Sequence, residues 1–107
     1  MNFTIKQTNT SPILGAQLKD ANSDPVDLTG ATVVFNMADI NDRVVVNGAA
    51  CTVTDEENGR VQYEWQTGDT ARNGIYHGEF KVTYSDGSIE SFPNSEYLSI
   101  NVVADVV

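Results

Sequence analysis

Over 107 residues the sequence carries fifteen Asp and Glu against six Lys and Arg, a formal net charge of −9. Lys6, Lys19, Arg43, Arg60, Arg72 and Lys81 are scattered, so there is no basic stripe to neutralise nucleic-acid phosphates, and an anionic membrane surface would repel the chain. One cysteine, Cys51, makes no internal disulfide, and no apolar run approaches the roughly 20 residues that cross a bilayer.

The length fits one domain over residues 1–107, and one Trp, four Tyr and four Phe within a 40% hydrophobic composition supply a core that disordered acidic chains lack. Met1 to Lys6 shows no charged segment followed by an apolar stretch. No signal peptide is therefore read, and synthesis in a cytoplasm is expected.

Period-two alternation dominates, as it does when successive side chains point to opposite faces of a strand. Phe3 to Gln7 and Leu14 to Lys19 read as a first strand broken around Ser11-Pro12, and Asn22 to Pro25 as a turn. Asp27-Leu28-Thr29-Gly30 does not alternate and is expected to form a tight turn feeding a strand from Ala31 to Met37, with Ala31, Val33, Phe35 and Met37 inward. After a turn at Asp39 to Asp42, Val44 to Val46 and Ala50 to Thr54 flank Asn47-Gly48.

Asn58-Gly59 supplies the positive φ of a tight hairpin before Arg60 to Trp65, whose Val61, Tyr63 and Trp65 make an aromatic inner row. Thr67 to Asn73 is a loop. Gly74 to Tyr84 alternates for longest, with Tyr76, Gly78, Phe80, Val82 and Tyr84 on one face; Asp86-Gly87 then turns the chain into Ile89 to Phe92. Tyr97 to Val103 follows, with Leu98, Ile100 and Val102 inward, after an interruption at Pro93-Asn94 that predicts a bulge or a crossing between sheets. The expectation is an all-β, antiparallel β-sandwich.

Catalytic constellations are missing. His77 is the only imidazole and is predicted to face outward, remote in sequence from Cys51, so neither a nucleophile with its base nor a structural zinc site is furnished. Asp55-Glu56-Glu57-Asn58-Gly59 and Asp39-Ile40-Asn41-Asp42 do not follow the spacing of a 12-residue calcium loop and read as solvated hairpin ends. Cys51 alternates inward with Val53, which predicts an inert, buried thiol. With no secretion expected, the sequons at Asn2 and Asn9 are read as chance matches. Tyr63 and Trp65 invite a sugar-stacking role, but their place beside Val61 assigns them to the core; Tyr97 and Ile75 are the better candidates for exposed contacts. No catalytic, cofactor-binding or metal residue is therefore assigned, no cofactor is expected, and interaction residues stay unassigned.

Asp69 to Gly78, with its Asp before Gly74-Ile75-Tyr76, resembles the immunoglobulin-type strand opening in which a tyrosine corner hydrogen-bonds backward; Gly78 stands where an antibody-type domain has Cys, and the Trp falls late. A resemblance over nearly the whole chain rests on Asp27-Leu28-Thr29-Gly30-Ala31-Thr32-Val33, Glu57-Asn58-Gly59-Arg60-Val61-Gln62-Tyr63-Glu64-Trp65-Gln66, Thr67-Gly68-Asp69-Thr70, Gly74 to Tyr84, Ser85 to Asn94 and Tyr97 to Ile100. In their order and spacing these are similar to the N-terminal domain family of the phage baseplate upper protein. The resemblance implies an immunoglobulin-like fold and a structural virion protein of a tailed phage, attaching a peripheral component to the tail, baseplate or neck in multiple symmetric copies.

In the baseplate protein a helical, receptor-binding-protein-anchoring region follows this domain, whereas this sequence runs to Val107. Fold and virion residence are thus implied more strongly than location; a capsid decoration or fibre base, or a host-surface or carbohydrate-binding module, are the alternatives. Partners are expected among other virion proteins, with no nucleic acid or membrane. The edge from Phe3 to Gln7 and the tail residues Val102, Val103, Val106 and Val107 are expected contact places unless they complete the chain's own sheet. The acids, Glu64, Glu79, Asp55 to Glu57 and Asp86 among them, are expected to coat the sandwich, on the outside of the particle and away from its genome.

Overall fold

The alternation becomes nine strands in the computed structural model, among the residues it describes, 2–93 and 97–106. They are β1 (Asn2–Lys6), β2 (Leu14–Gln17), β3 (Thr32–Asp39), β4 (Val44–Ala50), β5 (Thr52–Asp55), β6 (Arg60–Tyr63), β7 (Gly74–Thr83), β8 (Ile89–Phe92) and β9 (Leu98–Val103). A six-stranded sheet runs β1-β9-β7-β3-β4, with β8 also on β7, and a three-stranded sheet runs β2-β6-β5. The result is an all-β, immunoglobulin-like sandwich. One pairing departs from the antiparallel expectation: β1 lies parallel to β9, Asn2 opposite Ser99 and Lys6 opposite Val103.

The broken first strand is divided between the sheets. β1 joins the six-stranded sheet and β2 the other, with Leu14 opposite Tyr63. The crossing is held by Thr70, the buried polar side chain among the described residues, whose hydroxyl donates to the Asn9 carbonyl at 2.8 Å. The Thr70 carbonyl in turn accepts from the Thr8 N–H at 2.9 Å. Backbone polar groups at a sheet change lose their ladder partners, and these bonds replace them.

Two expectations at irregular points are revised or resolved. Asn47-Gly48 does not separate two strands: β4 runs through it, and between the Phe35–Ala49 and Met37–Val46 pairs the two residues Asn47 and Gly48 oppose Asn36 alone. The dipeptide is a bulge, with Gly48 at φ 66° and its N–H donating to the Asn36 Oδ1 at 2.6 Å. The strand change comes later, at Cys51, whose N–H donates to the Val33 carbonyl before β5 enters the other sheet.

The strands on either side of Pro93 stay in one sheet, so no crossing between sheets occurs there. β8 and β9 lie end to end along the same side of β7, with Phe92 opposite Phe80 and Leu98 opposite Gly78. Asn94 lies outside the described residues.

The core sits where the inward rows meet. Val33, Phe35 and Met37 of β3, Tyr76, Phe80 and Val82 of β7, and Leu98, Ile100 and Val102 of β9 pack onto Leu14, Val61, Tyr63 and Trp65. Phe35 is the hub, its ring centroid 4.8 Å from Tyr63, 5.3 Å from Phe80 and 5.9 Å from Trp65. Each such ring pair stabilises by about 0.5–1.5 kcal/mol beyond the area it buries.

Gly78 makes this possible. A Cβ there would stand 2.8 Å from the Ile100 Cδ1 and 3.0 Å from the Phe35 Cε1. In an antibody-type domain this position holds the cysteine of the inter-sheet disulfide, against which a Trp packs from an early strand. Here Phe35 fills that space from β3. The tyrosine corner is present: the Tyr76 hydroxyl donates to the Arg72 carbonyl at 2.7 Å.

The turn glycines separate conformation from crowding. Gly48 and Gly59 both have φ 66°. A Cβ at Gly48 meets nothing within 4 Å, whereas one at Gly59 would lie 2.7 Å from the Leu18 carbonyl oxygen and 2.8 Å from that of Val26. Gly48→Ala is expected to cost about 1 kcal/mol through the left-handed conformation alone. Gly59→Ala is expected to cost a further 1–3 kcal/mol or so, because two backbone carbonyls must move. Urea unfolding of the two variants measures the difference, and equal losses would refute the packing argument.

Candidate functional site

The outward faces of β3, β4 and β7 form the most site-like surface of the molecule. On β7 the row Ile75, His77, Glu79 and Lys81 points away from the core, opposite the inward row of Tyr76, Phe80 and Val82. Register brings Ala38 beside both Val44 and His77, and Asn36 beside Glu79. Tyr97, at the entry to β9, stacks on His77 with ring centroids 4.7 Å apart and planes within 5°. These residues enclose a groove of about 300 Å³, with Asp42 at its rim.

His77 is thus a half-buried outer-face residue as expected, and its new feature is the aromatic neighbour. Tyr97 is 60% exposed and Ile75 45%, in agreement with their expected accessibility. Glu79 is held by the Asn36 amide, Nδ2 to Oε1 3.5 Å, while the same Asn36 caps the β4 bulge through its oxygen. Asn36, Ala38 and Val44 were not singled out by the sequence, and Asp42 was read there as part of a solvated hairpin end. They come from strand and turn positions that only register assembles.

A second cleft, of about 230 Å³, lies between the β3–β4 turn and the 66–73 loop and holds Arg43 and Arg72. Its two acids serve the chain's own turns. Asp39 Oδ1 accepts from the Asn41 and Arg43 N–H groups, and Asp69 Oδ2 accepts from the Gln66 N–H and from the Tyr63 hydroxyl. Burial, reinforced by the Asp69 carboxylate, raises the Tyr63 hydroxyl above its ordinary range.

The remaining candidates fall in separate places. Tyr63 and Trp65 are buried, so they offer no face to a sugar. Asp55 accepts from the Asn58 side chain within the β5–β6 turn, at 2.8 Å. Cys51 sits at the strand change beside Val33, whereas His77 lies opposite Ala38 towards the other end of β3, and burial pushes the Cys51 thiol up to about 12. No group of three or more His, Cys, Asp or Glu that could hold a metal occurs among the described residues. The two terminal segments do complete the chain's own sheet: Ile5 and Val102 are buried opposite one another, and Val103 is half-buried. The outer edge of β1 is left open in that sheet, Val106 is exposed, and Val107 lies outside the described residues.

The sequence profile of the BppU (baseplate upper protein) N-terminal domain matches residues 2–107. The chain belongs to this family. BppU N-terminal domain membership makes it a phage baseplate-type structural domain, whose partners are other virion proteins and whose place is the virion. No curated protein matches the chain. Among solved structures it is similar to CopC from Methylosinus trichosporium OB3b, at 13% identity over 99% of this chain and 87% of that one, with a TM-score of 0.56. That likeness concerns the fold alone.

The raised thiol gives a pH signature with a defined sign. The unfolded Cys51 ionises near 9.0 and the folded one near 12, so its contribution to stability is fully present below pH 9 and is lost as pH rises from there towards 12. Tyr63 and the half-buried Tyr84, raised in the same way, begin to act only from their ordinary value of 10.0. Cys51→Ala is expected to move the onset of alkaline destabilisation in urea titrations from pH 9 towards pH 10. An unchanged onset would show that the thiol ionises equally in both states.

Proposed function

We propose that this BppU N-terminal domain is a non-catalytic assembly module that docks a peripheral component onto the tail, baseplate or neck of a tailed phage particle, in multiple symmetric copies. The observation that carries this reading is the family match across residues 2–107. Two features of the molecule support it.

The first is surface chemistry. Val44, Ile75, Ile89 and Tyr97 are all exposed large hydrophobics contributed by strands of one sheet or the segment entering it. Apolar and aromatic side chains displayed together on a sheet face are what a protein–protein contact buries. The second is charge: at −9 the chain repels copies of itself in solution, which disfavours association away from a particle that supplies complementary surfaces. The same charge supports a position outside the DNA-filled shell.

Residence on a closed, symmetric assembly has a countable consequence. Mass spectrometry of density-purified particles is expected to find the chain at a copy number that is a multiple of the tail's axial symmetry. Its absence from purified particles would overturn the reading.

A further inference from the structure

Family membership does not say which surface of this chain makes the contact, nor what chemistry the partner brings. We propose that the groove on the outer face of the six-stranded sheet receives a basic segment of another virion protein, an arginine side chain flanked by apolar residues. The proposal deepens the docking reading above and rests on it.

Three observations converge on a cation. Asp42 and Glu79 both line the groove, and no Lys or Arg is among its described lining residues; the cleft with Arg43 and Arg72 is separate. Carboxylates in a partly enclosed, low-dielectric groove attract a guanidinium more strongly than the same groups on an open surface. Next, the His77 and Tyr97 rings are stacked within 5° of parallel, and Tyr97 is 60% exposed, so a flat aromatic surface adjoins the carboxylates. A planar guanidinium lies favourably over such a face, which an ammonium matches less well. Finally, Ala38 and Val44 give the groove apolar side chains on the outer face, against which the methylene stem of an arginine can lie.

A second copy of this chain fits poorly. Apposing two such faces would bring Asp42 and Glu79 of one copy against those of the other, within a pair of chains of −9 each. A partner with basic side chains is drawn by the long-range field and by the local carboxylates together. The β4 bulge adds to the fit. It turns the edge of the sheet beside the groove away from regular strand pairing, so side-chain capture rather than strand addition is the mode this face supports.

Particles assembled with D42N/E79K test this against E57Q/E64K, which makes the same change in net charge at exposed positions of the turn before β6 and just after it. Asn at position 42 tolerates the φ of 65° found there. The groove variant is expected to fall about tenfold or more in copies per particle, the measure of losing one good charge pair, while the control is incorporated like the native chain. Tyr97→Ala, which removes an exposed ring and leaves the core intact, is expected to reduce incorporation as well. Revertants of the groove variant are expected to carry an arginine or lysine changed to an acidic residue in a different virion protein. Equal incorporation of groove variant and control would overturn the proposal, and so would revertants confined to this chain. Absence of the native chain from particles is a different result, which would sink the virion reading beneath it.

Discussion

The structure depends on one aromatic contact across the sandwich. Phe35 on β3 meets Tyr63 on β6, and the ring of Trp65 stands edge-on to both, 86° from Phe35 and 81° from Tyr63. Phe3 on β1 stacks on Trp65 at 5.8 Å. The cluster therefore ties the edge strand of the large sheet, its centre and the small sheet into one core. Burying a Phe side chain stabilises by about 1.5–3 kcal/mol, and a cluster of such groups takes the place of the inter-sheet disulfide that Gly78 cannot form. The stacked Phe3–Trp65 pair also explains how β1 is held at the margin of its sheet with a single neighbouring strand.

A core closed in this way leaves the outside free. Much of the acidic surplus is spent on turns: Asp20, Asp27, Asp39 and Asp86 each accept backbone N–H groups two residues on, at 2.9 Å. Hydrogen bonds from Thr29 and Ser88 hold the carboxyls of Asp27 and Asp86 below the usual range. The turn chemistry that sets the hairpins and the charge that sets long-range electrostatics are thus the same residues. Charge was added where the chain reverses, and the sheet face between the turns was left open to other side chains.

On the docking reading proposed above, that face suits the BppU N-terminal domain. Its strands are fixed from behind by the core, so the outward side chains of β3 and β7 are presented at set spacing with little ordering cost on binding. The irregular β4, bulged at Val45 and again at Asn47-Gly48, shapes one wall of the groove, and the Tyr97 ring shapes the other. Neither wall is regular sheet. Strand β7 carries Glu79, the β3–β4 turn carries Asp42, and the irregular segments beside them supply the concavity.

Most of the fold was legible in the sequence. Alternation settled which side of β3, β6, β7 and β9 faces the core, because side-chain period and backbone pleat are one property. Gly and Asp placed the turns, because positive φ and local side-chain caps are local demands. The family, too, is carried by motifs in their order. Pairing was different. Backbone hydrogen bonds carry no residue identity, so the sequence by itself did not determine that β1 runs parallel to β9, that Asn47-Gly48 is a bulge, or that the chain returns along β7 after Pro93. The groove follows from those pairings: Ala38, Val44, Glu79, His77 and Tyr97 are far apart along the chain, and only tertiary register makes them neighbours.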